Sequence, residues 1–423
     1  MRRLFLLLLI ALPVRAELRE IASSLTLDQA VGDALRDNAE LHAMRARWEA
    51  AQERPAQARA LPNPMLQYTA MDMANGGQWP DTGEKQVMVQ QAFPWFGKRG
   101  LKGKIAEKDA EALHQDYEAL RRDIVMLVKA TYFDLRGTRE MLTIARAETG
   151  VLERIESSTA ALYATGQRSQ TDILKVQVEM TMLKQKCLEL ETQVAALQFK
   201  INSLLNRPPE MPVGLPVTPP VSDFDLEARQ LFSLANKTRP EIKKAQTELQ
   251  RDEYTRRLMS KEGLPDYRLG LEYRNVGVDF TGFRRTDNML AVTIGIDLPI
   301  WRSKYRAGIR EADKMLEAGQ AALEAATRQA AFDVQDAWFK LRAARQTLAL
   351  YRQTLLSQAE ARFKASDAAY RAGTGNFTDL LESERFQLNA RALAAAAEAN
   401  VGMQAARLER AVGAELLEAR ETK

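Results

Sequence analysis

The sequence predicts a mainly helical chain that carries a share of a membrane β-barrel: long coiled-coil-like helical hairpins plus four β-strands per protomer. Three observations carry that prediction. Two long tracts contain no proline, four segments alternate apolar and polar residues, and the whole pattern occurs twice along the 423 residues.

The chain opens with a targeting segment. Met1-Arg2-Arg3 is positive, Leu4 to Val14 is apolar, and Val14-Arg15-Ala16 offers a small-residue cleavage site. Residues 1–16 therefore read as a cleavable leader, and the apolar run is too short for the roughly 20 residues of a spanning helix. The lone Cys187 lies far from that site, so no cysteine stands there for lipidation, and no intramolecular disulfide can form. Cys187 itself reads as a small buried helix residue.

Composition excludes several classes. Lys+Arg total 60 against 56 Asp+Glu, and three of those arginines fall in the leader. The rest is nearly balanced, which argues against nucleic acid as a partner. Two histidines, His42 and His114, and one cysteine are too few for a zinc or iron–sulfur centre. No cofactor is expected. Without a glycine-rich phosphate loop or a Ser/His/Asp set, the chain does not read as an enzyme.

The strands follow from strict period-two alternation. Leu66, Tyr68 and Ala70 alternate with Gln67 and Thr69, and Val87, Val89 and Phe93 with Met88, Gln90 and Ala92. Tyr267, Leu269, Leu271 and Tyr273 alternate with Arg268, Gly270, Glu272 and Arg274, and Leu290 to Leu298 repeats the pattern. Strands are expected near residues 62–72, 85–94, 266–276 and 288–299, with hairpin turns at Asn75-Gly76-Gly77 and Gly277 to Gly282. Met65, Met71 and Met73 share the parity of Gln67, and Met88 that of Gln90, so these four would face a barrel lumen as weak soft-metal candidates. Trp95 and Trp301 follow the strands and suit either an aromatic girdle or helix–barrel packing.

Helices fill the rest. None of the 15 prolines lies between Trp95 and Arg207 or after Pro299. Apolar residues there keep helical spacing, as in Ile124, Val128 and Leu135, or Leu348, Leu355, Phe363 and Tyr370. At about 1.5 Å per residue these tracts reach roughly 100 Å. Each is interrupted once, by Tyr163-Ala-Thr-Gly166-Gln-Arg168-Ser169-Gln-Thr171-Asp172 and by Tyr370-Arg-Ala-Gly373-Thr374-Gly-Asn-Phe-Thr378-Asp379. Glycine suits a helix end and Ser/Thr/Asp the next start, so both read as tips of helical hairpins.

These matches belong to an internal duplication with an offset of about 206 residues. Tyr132-Phe-Asp-Leu-Arg136 aligns with Trp338-Phe-Lys-Leu-Arg342, and Phe93-Pro94-Trp95 with Leu298-Pro299-Ile300. The expected division is leader 1–16, first repeat 17–207, proline-rich linker 208–222, second repeat 223–415 and tail 416–423. Four strands cannot close a transmembrane barrel, which needs about eight, and lipid does not tolerate open edges. Several chains must share one barrel; three would supply twelve strands, with their helices continuing as one tunnel.

The duplication, the paired strand hairpins, the Tyr-x-x-Gly tips followed by Asp-x-Leu, and the closing Leu408-Glu-Arg-Ala-Val-Gly413 resemble the TolC-type outer membrane efflux channels. Phe93-Pro-Trp-Phe-Gly-Lys98-Arg99-Gly100 looks most like their heavy-metal branch. The resemblance implies a homotrimer in outer membrane lipid, its helical part in the periplasm. It further implies a periplasmic adaptor and an inner-membrane resistance-nodulation-division transporter as partners, with heavy-metal cations as cargo. It also implies a pore constriction at Asp379 and Glu382, which lie three apart on one helical face. Gly166, Arg168, Ser169, Thr171, Asp172, Gly373 and Thr374 would be the adaptor-contacting tips, with Arg168 as an exposed recognition charge. The competing class is a periplasmic adaptor or structural coiled-coil protein without a channel; the four alternating strands separate the two.

Overall fold

The computed structural model describes residues 24–71, 84–217, 227–280 and 283–416. The leader, Met73, the Asn75-Gly76-Gly77 turn and nearly all of the tail lie outside the described residues, and Met71 is placed by backbone register alone.

The element order repeats. Strand β1 (Ser24–Leu25) precedes α1 (Leu27–Asp37), α2 (Ala39–Gln52) and α3 (Arg54–Arg59), then β2 (Met65–Met71), β3 (Glu84–Phe93), α4 (Lys98–Ala164) and α5 (Gln170–Leu204). After β4 (Leu215–Pro216) come α6 (Ala228–Thr238), α7 (Pro240–Glu262), β5 (Asp266–Phe280), β6 (Phe283–Asp297) and α8 (Arg302–Leu350). A π-helical turn, Tyr351–Leu355, joins α8 to α9 (Leu356–Arg371), and α10 (Phe377–Val412) closes the chain. Local chemistry sets the boundaries. Thr26 and Gln29 make a reciprocal capping box at α1, and Pro55 and Pro240 sit in the first turns of α3 and α7, where no N–H is needed.

The expected strands and the two helical hairpins are present, α4 running 67 residues without a break. Three features were not legible. The two-residue strands β1 and β4 pair in parallel, clamped by buried Tyr132, whose hydroxyl lies 2.8 Å from the Leu25 carbonyl and 2.7 Å from that of Val217. The π turn interrupts a helix that looked continuous; there Arg352 ion-pairs with Glu398, which also takes Arg136 at 2.7 Å. Cys187 is half-buried beside an apolar cluster rather than enclosed by it.

Two compact units divide the chain, each assembled from both halves of the sequence. One takes residues up to 38, 124–223 and 340–407; the other takes 39–123, 224–339 and the segment from 408.

The second unit holds the antiparallel sheet, in the order β2-β3-β5-β6 with β2 and β6 as edges. Its register stacks like with like. Leu66, Val89, Leu271 and Val292 form one cross-strand row, and Tyr68, Val87, Tyr273 and Leu290 the next. The opposite face carries Gln67, Met88, Glu272 and Ala291, then Thr69, Gln86, Arg274 and Met289. Arg268 pairs with Asp297 there at 3.0 Å, and Arg274 with Glu272 at 2.8 Å. The apolar face is bare within the chain: Leu66 is 72% exposed and Ile294 74%.

The Phe93 to Gly100 motif fixes how this sheet meets its helices. Lys98 is 2% exposed, and its ammonium reaches the Leu264 carbonyl at 3.0 Å and the Asp266 carboxylate at 2.9 Å. The Trp95 N–H donates to the same carboxylate at 2.7 Å, and the Trp95 indole stacks on Tyr267. Trp95 is thus packing, whereas Trp301, 69% exposed, remains available to an interface. The closing motif works similarly. Arg410 bonds Asp123 and Glu241, and Thr238 donates to the Val412 carbonyl. His114 stacks against Trp48.

Candidate functional site

The two tips lie in the first unit and are built by the same turn chemistry. At the first, the Gly166 N–H donates to the Tyr163 carbonyl and that of Gln167 to Leu162, each at 2.9 Å. At the second, Gly373 donates to Tyr370 and Thr374 to Ala369, each at 3.1 Å. This paired bonding ends a helix on a left-handed residue, and Gly166 and Gly373 have φ of 74° and 77°. The next helix starts on a side-chain cap: Ser169 Oγ accepts from the Thr171 N–H, and Asn376 Oδ1 from the Thr378 N–H.

The two tips are fastened to each other. The Arg168 guanidinium lies 4.4 Å from the Tyr370 ring centroid, and its Nη2 donates to the Tyr370 carbonyl at 3.5 Å. Lys175 Nζ donates to Thr378 Oγ1 at 2.8 Å. Beneath them Tyr370 packs on Phe377, within a cluster that includes Leu142, Leu152, Val176, Leu183 and Leu380. Arg168 is therefore less exposed than the sequence suggested. It is half-buried, because its planar cation covers an aromatic face that the turn at Gly373 presents. Tyr370 and Lys175 were missed as linking residues. The signal was present, since both tips read Tyr-x-x-Gly, yet Tyr163 stays 46% exposed while Tyr370 falls to 8%.

The remaining tip residues divide by role. Gly166, Thr171, Gly373 and Thr374 are exposed, while Ser169 is occupied as a cap. Asp172 is half-buried in the first turn of α5, 4.0 Å from Lys175. Asp379 and Glu382 are both exposed on α10 but differ in company. Glu382 lies 3.8 Å from Arg362, whose guanidinium also sits over Phe386, whereas Asp379 has no ion-pair partner among the described residues.

Met65 and Met88 lie on the polar face of the sheet, Met65 opposite Gln90 and Met88 between Gln67 and Glu272. Among the described residues no three His, Cys, Asp or Glu converge as a metal site, and no helix is long and apolar enough to cross a membrane.

Known proteins give this arrangement a place. The chain is 25% identical over 389 residues to the cobalt-zinc-cadmium resistance protein CzcC of Cupriavidus metallidurans, covering 88% of this chain and 86% of that one. Its fold matches that of CusC with a TM-score of 0.78 at 16% identity, over 92% of each chain. It matches the outer-membrane channel OprN with a TM-score of 0.77 at 20% identity, over 92% of this chain and 89% of that one. The family model described as outer membrane efflux protein matches residues 30–207 and 231–414. Spanning both halves of the sequence, that match places the chain in the outer membrane efflux protein family, whose members are transport channels and not enzymes.

Proposed function

We propose that this outer membrane efflux protein is the exit duct of a tripartite pump, a homotrimer whose twelve strands form one barrel continued by a helical tunnel. The carrying observation is the open sheet. One face is apolar and bare, the other polar and charged, and β2 and β6 leave unpaired edges. Lipid accepts such a sheet only when its edges are closed. Further copies of this chain supply matching edges. Helix α5 adds a second apolar surface, with Leu174, Val178 and Met182 all more than half exposed at four-residue intervals. Residues 1–16 serve as the export leader, 17–207 and 223–415 as the two repeats, joined by the linker 208–222.

In this reading the duct is passive. Its polar lumen face carries Arg268–Asp297 and Glu272–Arg274 pairs, which suit a wet lumen, and Met65 and Met88 can touch soft cations in passing. Asp379 and Glu382 ring the periplasmic entrance. The tip positions Gly166, Arg168, Ser169, Thr171, Asp172, Gly373 and Thr374 meet a periplasmic adaptor, which couples the duct to a resistance-nodulation-division transporter in the inner membrane. Heavy-metal cations are the proposed cargo, supported by the likeness to CzcC.

Two measurements test this. The protein should be recovered from the outer membrane as a detergent-stable trimer; a soluble periplasmic monomer overturns the duct. Deleting its gene should raise sensitivity to cobalt, zinc and cadmium salts more than to organic toxicants; the reverse pattern overturns the cargo while leaving the duct.

A further inference from the structure

We propose that Glu148 on α4 and Glu384 on α10 form a proton-sharing carboxyl pair that ties these two helices together and releases them as pH rises. Both lie in the first unit, 4% and 3% exposed. Their helices are in contact, Arg136 of α4 pairing with Glu398 of α10 at 2.7 Å, and the Glu384 carboxyl lies close enough to Glu148 to act on its protonation. Ionised carboxylates only accept, so a bond between two of them requires a proton on one. Glu148 Oε1 and Glu384 Oε2 are each buried without a donor elsewhere among the described residues. One proton between the side chains answers both vacancies.

Position makes the pair structural. Glu148 falls between Ala145 and Leu152 on α4, and Glu384 follows Leu380 by one turn on α10; these three apolar residues belong to the cluster under the tips. The pair therefore occupies a layer of that core. Ser383, buried alongside, cannot supply the missing donor, because its hydroxyl already donates to the Leu380 carbonyl.

The surrounding charges favour retention of the proton. Burial, then the hydrogen bond and charge of Glu384, push the Glu148 carboxyl well above the usual carboxylate range. Arg391 on α10 and Arg154 on α4 pull the other way without prevailing. Arg391 also faces Glu360 of α9, which itself bonds Lys364, so its charge is shared. Among the described residues no third ligand joins the two carboxylates, so a proton fits this place better than a metal ion.

The sign of the coupling follows from linkage. The folded chain keeps a proton that the unfolded chain has already released, so stability is full below the ordinary carboxylate range and declines as pH rises. The decline ends in the alkaline range, where Glu148 ionises. Two adjacent charges in an apolar layer then repel, and α10 loosens against α4 beside Asp379. None of this depends on the cargo or the pump.

The test uses the purified full-length protein and the variants Glu148→Gln, Glu384→Gln and the double substitution. Infrared spectra at neutral pH should show a protonated carboxyl C=O band in the wild type, lost in every variant. The thermal midpoint of the wild type should fall between weakly acidic and alkaline pH, and the double variant, which keeps an amide–amide bond but cannot titrate, should lose most of that fall. Absence of the band from the wild type overturns the proposal, and so does an unchanged pH slope in the variants. The wild-type spectrum decides even if no variant folds.

Discussion

The Arg168 guanidinium covers the Tyr370 ring at 4.4 Å and so joins the start of one hairpin's second helix to the end of the other hairpin's first. A cation over an aromatic face contributes about 0.5–2 kcal/mol, more as it is desolvated. Lys175 and Thr378 add a second tie between the same two tips.

Arg168→Ala should therefore loosen the tips within a protomer without affecting assembly of the proposed trimer. Protease nicking around residues 164–170 should quicken several-fold, and Tyr370→Leu should do the same. A double-mutant cycle should give a coupling of about 1 kcal/mol. Additive effects would show that the contact carries no energy. Lysine at 168 should restore only part of the coupling, because it lacks the planar cation.

The row Leu66, Val89, Leu271 and Val292 gives the second prediction. Leu271→Lys should cost about 2–4 kcal/mol in membrane folding if that row faces lipid. Thr293→Lys, on the opposite face, should be tolerated. Recovery of folded trimer from the outer membrane is the measurement; equal loss from both substitutions would assign the faces wrongly.

Much of this fold was legible because its signals are periodic. Alternation from Leu290 to Leu298 gives a strand wherever it lies, and proline-free helical spacing from Ile124 to Leu135 gives a helix. What escaped depended on distant partners. Strand β1 exists because Tyr132 and the Leu215–Pro216 backbone meet Ser24–Leu25, and two residues leave no pattern. Arg168 looked exposed because sequence shows a polar residue at a turn but not the aromatic ring that covers it. Glu148 and Glu384 passed unremarked, since a lone acid within a helical heptad reads as a surface residue.

Arg410 supports a pH prediction with the opposite sign to that of the buried carboxyl pair. Burial acts to raise the Glu241 carboxyl, but the hydrogen bond and charge of Arg410, with help from Arg239, hold it below the usual range. Its folded form thus releases its proton earlier than its unfolded form. The stabilisation is present above the ordinary carboxylate range and is lost as pH falls through the lowered value. Glu241→Gln should flatten the acid limb of the stability curve. Arg410→Met should destabilise the protein by about 1–3 kcal/mol at neutral pH, reduced by the partial exposure of Asp123 and Glu241. Thermal midpoints across acidic pH check both, and a wild-type acid limb in Glu241→Gln would remove this pair from the account.

The last prediction concerns the entrance. Threefold symmetry would bring six carboxylates from Asp379 and Glu382 around one axis, attracting cations and repelling one another. The structure separates their contributions: Glu382 is partly neutralised by Arg362 at 3.8 Å, while Asp379 has no such partner among the described residues. Asp379→Asn should therefore relieve block by multivalent cations more than Glu382→Gln does, and the double change to alanine should relieve it most. Arg362→Ala, which frees the Glu382 charge, should strengthen block. Planar-bilayer conductance of the purified trimer, with cations added from the periplasmic side, measures all four variants. If the double substitution leaves block and selectivity unchanged, these acids do not line the entrance, and the constriction must be sought elsewhere along α10.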